Sequence, residues 1–301
     1  MAPDPAPSLT GWSPAPVETT ARIDAWPAAA FAAMLDLPAP VTQDGDPLPP
    51  LWHAFHLLDH PAQADLEPDG HPATGAFQPP MPDRRRMFAG GRLTVTAPLR
   101  VGDVVTRRSR LVSATPKQGR SGASVFVTVR HDFIVDGTVV QTEEQDFAYR
   151  SQPPGAARGI AAPEPMAEPA PDAVVRIVAD PPLLFRFSAL TFNSHRIHYD
   201  QPYVTQVEGY PGLVVHGPLL ALLALEVPRR RGGRRSWGEV VVGSAGVAPS
   251  LTAWRRLLFD PESGGPARPR PHTSPSPMTT AATPTHPERS VARASGGRLR
   301  A

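Results

Sequence analysis

The chain has no cysteine among its 301 residues. A disulfide framework, a thiolate metal site and a cysteine nucleophile are thereby excluded, and an oxidising compartment gains no support. It also lacks a long apolar run. The longest, residues 213–227, is 15 residues and carries His216, Pro218 and Glu226, short of the roughly 20 needed to span a bilayer. It reads as a buried helix. The opening Met1-Ala2-Pro3-Asp4-Pro5 has neither the charged start nor the apolar stretch of a secretory signal, which makes the cytoplasm the expected compartment. No zinc, phosphate-loop or dinucleotide signature is present, so no metal and no cofactor are expected, and Ser188 lacks the neighbours of a nucleophile elbow.

What is present is unevenly spread. The net charge is +2, yet residues 229–301 hold 13 arginines against Glu239, Asp260, Glu262 and Glu288, which is +9 and leaves −7 on residues 1–228. Nucleic-acid binding needs basic residues displayed on a folded surface. Here they gather in one tail, so neither a nucleic-acid nor a membrane partner is expected.

The length allows two modest domains. Residues 1–19 read as a flexible leader, and residues 23–37 as an Ala-rich helix interrupted at Pro27. Residues 92–96, 103–114, 123–135 and 138–150 are β-branched segments separated by turn residues, which predicts an antiparallel meander over a first domain, residues 20–150. Asp136-Gly137 suits a tight hairpin. Residues 151–182 contain 8 prolines and read as a linker. The second domain, residues 183–259, opens with a strand-like Leu183-Leu184-Phe185-Arg186-Phe187, followed by a His-rich loop and the apolar helix. Glu239 to Val242 is a short strand candidate and residues 251–259 a further apolar segment. Residues 260–301 read as a disordered basic tail.

The chemistry concentrates in Phe192-Asn193-Ser194-His195-Arg196-Ile197-His198-Tyr199-Asp200, with Gly212-Leu213-Val214-Val215-His216-Gly217 behind it. This pair of blocks resembles the MaoC-like hydratases and dehydratases. In that family a loop presents an acidic residue and, five positions later, a histidine, which together hold the water added across an enoyl thioester; Asn193 and His198 stand at those positions. The common pattern has Gly-Asp where this chain has Phe192-Asn193, and Asn-Pro where it has His195-Arg196. Phe-Asn-x-His-Arg-Ile-His-Tyr-Asp is similar to the branch containing mesaconyl-CoA hydratase and the fungal or mitochondrial 3-hydroxyacyl-thioester dehydratases. Asp69-Gly70-His71-Pro72, Arg85-Arg86-Met87-Phe88-Ala89-Gly90-Gly91, Leu99-Arg100-Val101-Gly102-Asp103 and Thr142-Glu143-Glu144-Gln145-Asp146 resemble the N-terminal domain of the same branch. The resemblance covers about residues 20–228. It implies an α+β double hot-dog fold, in which an antiparallel sheet wraps around a central helix twice, and an acyl-CoA or acyl-carrier thioester as substrate. It also leaves room for a homodimer.

Hydrating an α,β-unsaturated thioester requires a base for water, an acid for C2, and donors for the charge growing on the thioester oxygen. His198 can do both proton jobs near neutral pH, whereas neutral Asn193 can only orient the water. Gly217, at the start of the apolar helix, matches the position whose N–H meets the oxyanion, helped by the helix dipole. His216 supports that turn. His195, Arg196 and Tyr199 are candidate substrate contacts. Arg84, Arg85, Arg86 and Arg92 are candidates for coenzyme A phosphates. Asp200 reads as a helix cap, and Trp52 and Phe55 as core or acyl-pocket walls.

After residue 228 the resemblance stops. Residues 229–301 supply at most two strands where a hot-dog helix needs several to cover it, and their Arg-, Pro- and Gly-rich text is what a GC-rich gene read out of frame would give. The second hot-dog therefore reads as incomplete, with an exposed helix face. Two other functions share the fold: a thioesterase, which would release free coenzyme A, and a non-catalytic thioester-binding protein inactivated by Asn193 and the altered end.

Overall fold

The computed structural model describes residues 9–37, 41, 43–82, 84–119, 122–151, 177–230 and 239–243. The linker over 152–176, the Arg229–Arg235 cluster beyond residue 230, the segment 251–259 and the tail 260–301 lie outside the described residues.

Strands β1 (Val17–Arg22), β2 (Arg84–Val95), β3 (Val104–Gly119), β4 (Gly122–Val135), β5 (Thr138–Ser151) and β6 (Glu239–Gly243) form one antiparallel sheet in the order β1-β3-β4-β5-β2-β6. The meander predicted from the β-branched segments holds for β3, β4 and β5. β2 departs from it, because it lies beyond β5 and not beside β3. β1 begins at Val17, inside the stretch read as a leader, and pairs with β3 from Val17↔Ser109 to Arg22↔Val104. Asp136 (φ 47°) and Gly137 (φ 75°) make the β4–β5 hairpin, both left-handed as a twist-matched two-residue turn requires. The strand candidate at Glu239–Val242 is β6, paired with β2 over Gly90–Thr94.

Helix α1 (Ala25–Met34) runs through Pro27 without interruption. The proline sits in the first turn, where its missing N–H would have had no intrahelical partner. The strand expected at Leu183–Phe187 is instead helix α2 (Pro181–Leu190). Asp180 caps it by accepting from the Leu183 N–H at 3.0 Å, and the two prolines open its first turn, so part of the sequence that reads as linker is a helix start. A short apolar run fits either element by periodicity alone; the cap decides here. Helices α3 (Gln201–Gln206) and α4 (Gly217–Arg230) follow.

The main core joins both halves of the chain. Phe31 of α1, Trp52 and Phe55 of a 3-10 turn, Leu99, Val105 and Phe133 of the sheet region, Leu184 and Phe187 of α2, and Leu219 and Leu222 of α4 are all buried in it. Trp52 and Phe55 are core residues, as expected, meeting Phe31 at ring distances of 5.0 and 4.7 Å. On the other side of α4, Ala221 and Leu225 pack against Leu93 and Val95 of β2. The apolar positions of α4 from Leu219 to Leu225 that the sequence leaves uncovered are thus largely buried against the first half of the chain. Burying one such leucine is worth about 1.5–3 kcal/mol. Among the described residues no helix is long and apolar enough to cross a membrane.

Candidate active site

The motif loop hangs from the end of α2, and the way that helix stops sets its direction. Phe192 takes a left-handed conformation (φ 50°), its N–H donating to the Ala189 carbonyl and the next N–H, of Asn193, donating to Ser188 at 2.8 Å. This is the double bond of a Schellman stop, in which glycine usually fills the left-handed place. Asn193 then folds back: its Oδ1 accepts the His195 N–H at 3.0 Å. A 3-10 turn, Arg196–His198, follows. Asp200 closes the loop as the expected cap, accepting the Tyr203 N–H at 3.0 Å while Arg196 donates two bonds to its Oδ2, at 3.0 and 2.8 Å.

His198 is held from the segment before α4. The Val214 N–H donates to the Ile197 carbonyl at 3.0 Å, and the Val214 carbonyl lies 2.7 Å from His198 Nδ1. A carbonyl can only accept, so Nδ1 carries the proton and Nε2 is the basic nitrogen. Burial drives this imidazole down to about 4, against the bond to Val214, and the neighbouring His71 adds to the fall. It is neutral at pH 7. His216 stacks on it at 3.6 Å, shares a 2.8 Å hydrogen bond through Nε2 with Ser188, and leaves Nδ1 buried without a partner. Burial holds His216 well below the ordinary histidine range, and a proton on His198 would push it further down. The His216 carbonyl accepts the Leu220 N–H, which starts α4. A Cβ on Gly217 would sit 2.8 Å from Phe88 Cδ1, so the missing side chain makes room for the Phe88 ring.

The remaining arginine and tyrosine candidates divide. Arg196 also donates to the Pro68 carbonyl at 3.1 Å and lies over the Tyr203 ring, and Tyr199 donates to the Ser194 carbonyl. Both line an open, polar depression of about 310 Å³ whose other wall includes Gln63, Glu67 and Gly70. Arg84 donates to the Ala73 carbonyl and pairs with Glu67. Arg85 meets Asp69 at 3.2 Å and Glu208 at 3.6 Å. Arg86 lies over the Phe147 ring, and Arg92 pairs with Glu144 and Asp146.

The turn around Asp69-Gly70-His71, which carries the family resemblance but no role that the sequence assigns, is part of the site. Its backbone meets the motif loop directly. The Arg196 N–H donates to the Asp69 carbonyl at 2.8 Å, and Ser194 Oγ donates to the Gly70 carbonyl at 2.6 Å. Gly70 has φ 87°, and a Cβ there would collide with the Ser194 carbonyl. Asp69 is 1% exposed. Its Oδ1 accepts the His71 N–H at 2.9 Å, and its Oδ2 meets His71 Nδ1 at 3.2 Å and His195 Nε2 at 3.9 Å. Burial alone would raise its pKa, but the bonds and charge of His71, joined by the charge of Arg85, hold it below the usual carboxylate range. His71 lies 3.8 Å from the His195 ring, which meets His198 edge to face at 5.3 Å. Four imidazoles, His71, His195, His198 and His216, therefore form a row ending on Phe187. Asp69, His71 and His195 present ligand-type atoms within 4.8 Å of one another. The Arg85 guanidinium already sits on the shared carboxylate oxygen, which opposes a cation there.

Residues 52–237 match the hydroxyacyl-thioester dehydratase type 2 family. The chain is 49% identical over 209 residues to a mesaconyl-C(4)-CoA hydratase of Chloroflexus aurantiacus, covering 69% of this chain and 73% of that one. A 46-residue stretch is 52% identical to a mitochondrial hydroxyacyl-thioester dehydratase type 2 of Schizosaccharomyces pombe, 15% of either chain. Among solved structures, a MaoC-like dehydratase from Phytophthora capsici has a TM-score of 0.54 at 16% identity, over 80% of this chain and 83% of that one. That likeness bears on the fold and agrees with the hot-dog expectation.

Proposed function

The chain belongs to the hydroxyacyl-thioester dehydratase type 2 family, and from that premise we propose that it adds water reversibly across the 2,3-double bond of an enoyl-CoA, with His198 as acid and base. The observation that carries the assignment of His198 is its Nδ1 bond to the Val214 carbonyl. That bond fixes the tautomer, and burial keeps the ring neutral, so Nε2 is ready to take a proton.

The steps need no more than the chain's own groups. Water, oriented by the Asn193 amide, gives a proton to His198 Nε2 while its oxygen bonds to C3. The double-bond electrons shift toward the thioester, and the charge on its oxygen is met by the Gly217 N–H at the positive end of α4. His198 then returns the proton to C2, and dehydration runs the same path backward. His216 stacks behind His198 and keeps its plane, and His195 lies against its edge. Arg196 and Tyr199, at the polar depression, receive the polar end of the substrate. Arg85, Arg86 and Arg92 are turned to protein partners and serve the framework around the site. A short dicarboxylic acyl-CoA such as mesaconyl-C4-CoA is the proposed substrate class, supported by the extent of similarity to the Chloroflexus hydratase.

The test is an ultraviolet assay following loss of the enoyl-thioester absorbance with mesaconyl-C4-CoA and with an unbranched enoyl-CoA, with free thiol measured in parallel. Loss of absorbance without thiol release is expected, faster for the dicarboxylic substrate. His198→Ala should lower kcat by about 10²–10⁴-fold. Thiol release instead of hydration, or an undiminished His198→Ala variant, would remove the reading.

A further inference from the structure

A buried imidazole that takes a proton from water becomes a cation in a place that solvates it poorly, and some charge must answer it. Asn193 cannot do so, since its amide is neutral and its oxygen already accepts the His195 N–H. A carboxylate in direct contact with the imidazole row comes from the other half of the chain. Asp69 is fixed by the His71 N–H, by His71 Nδ1 and by Arg85, and the same oxygen that meets Arg85 faces His195 Nε2. We propose that Asp69 is the positioning carboxylate of this site: acting through His195, it holds that ring against His198 and balances the positive charge that forms on His198 during proton transfer. This rests on the reading of His198 as the base.

The competing role is purely structural. Asp69 accepts the N–H two residues on, as aspartates in turns do, and anchors Arg85, which would explain its burial without any part in the chemistry. Geometry favours more than this. The backbone of the turn already docks on the motif loop through the Asp69 and Gly70 carbonyls, yet its side chain is directed at the imidazole row, with Oδ2 3.2 Å from His71 Nδ1 and 3.9 Å from His195 Nε2. Among the described residues, the charged and titratable groups around Asp69 and His198 include His71, His195 and His216 in the row, Arg85 from β2, Glu208 beyond Arg85, and Tyr203 of α3, whose hydroxyl donates to Glu208. A neutral residue at position 69 would leave Arg85 as a cation at the row's edge and make protonation of His198 harder.

The full chain should be compared as wild type, Asp69→Asn, Asp69→Glu and the double variant Asp69→Asn with Asn193→Asp. The measurements are kcat and KM for enoyl-CoA hydration over pH 3–8, and the His198 ring titration by NMR over the same range. Asp69→Asn keeps an acceptor for the His71 N–H, and a circular-dichroism melt identifies any variant that has not folded. For Asp69→Asn we expect kcat to fall about 10–100-fold with KM within about threefold. The acid limb of the profile and the His198 titration should move down by about half to one pH unit. Asp69→Glu should recover part of the rate, and the double variant about tenfold over Asp69→Asn, because it restores a carboxylate at the other side of His195. A folded Asp69→Asn variant whose rate falls while the acid limb and the ring titration stay in place would overturn the proposal, leaving Asp69 as a turn anchor. So would a double variant no faster than the single one, or wild-type activity that a chelator removes and zinc restores. If the wild type hydrates no enoyl thioester, the proposed function fails, and the NMR shift still decides whether Asp69 acts on His198.

Discussion

Two loops meet at the imidazole row, and they solve opposite problems. The motif loop, 193–200, presents a base: its key ring is neutral because burial drives it down to about 4, and its Nδ1 is anchored on a backbone carbonyl. The turn at 67–71 presents a fixed negative charge: burial works against its carboxylate, but His71 and Arg85 keep it ionised. A site for proton transfer needs one group that gives up charge readily and another that keeps it, and groups whose environments push them apart supply that. The two halves of the chain contribute one each. They are locked together by backbone and not by side-chain pairing alone.

The sharpest way to break the comparison is to separate the loops. Gly70→Ala places a Cβ into the Ser194 carbonyl and asks alanine to adopt φ 87°. Urea denaturation should show a loss of roughly 2–4 kcal/mol, together with lost hydration activity. An unchanged midpoint would mean that the turn does not dock as described. Acid should then distinguish the loops in sequence. His198 and His56, the latter lowered to about 4 by burial and the charge of His53, have folded values below the unfolded 6.5. Their contribution to stability is fully present above pH 6.5 and is lost as pH falls from 6.5 to about 4, on the order of 3 kcal/mol each at the end of that range. Asp69, also depressed, keeps its contribution until pH falls below the ordinary carboxylate value near 4. Urea midpoints measured between pH 7 and pH 3 should therefore fall in two stages, with His198→Gln flattening the first; a single drop below pH 4 would contradict it. The smallest effect is expected at Phe192. Replacing it with glycine relieves a left-handed conformation that costs a side chain about 1–2 kcal/mol, offset by greater freedom in the unfolded chain and by loss of the His60 ring contact. A net gain of up to about 1 kcal/mol should appear in the same urea assay, and a loss would show that the ring contact dominates.

The sequence makes much of this readable, and the unread parts have physical causes. Turn chemistry at Asp136-Gly137 and the β-branched runs locate β3, β4 and β5 closely, because alternation and left-handed turns are local properties. Leu183–Phe187 misleads, since a short apolar run fits either period and the deciding cap at Asp180 lies before it. Pro27 misleads in the same way, its effect depending on where the helix starts. At the proposed site, His198 is picked out by the resemblance of its block to the MaoC-like motif. The part of Asp69 is not, because nothing local distinguishes an aspartate that caps a turn from one that also faces His195, 126 residues away.

By itself, the sequence determined the chemistry on offer: a chain without cysteine, a histidine-rich loop, a glycine opening an apolar helix, and the family these blocks resemble. The tertiary structure decided which of those groups act on one another. It covered the apolar positions of α4 with the first half of the chain, set the tautomer of His198 with a carbonyl sixteen residues on, and brought Asp69 to His195. Such pairings depend on long-range packing, where burial and a neighbour's charge, and not residue type, set whether a group is base, acid or anchor.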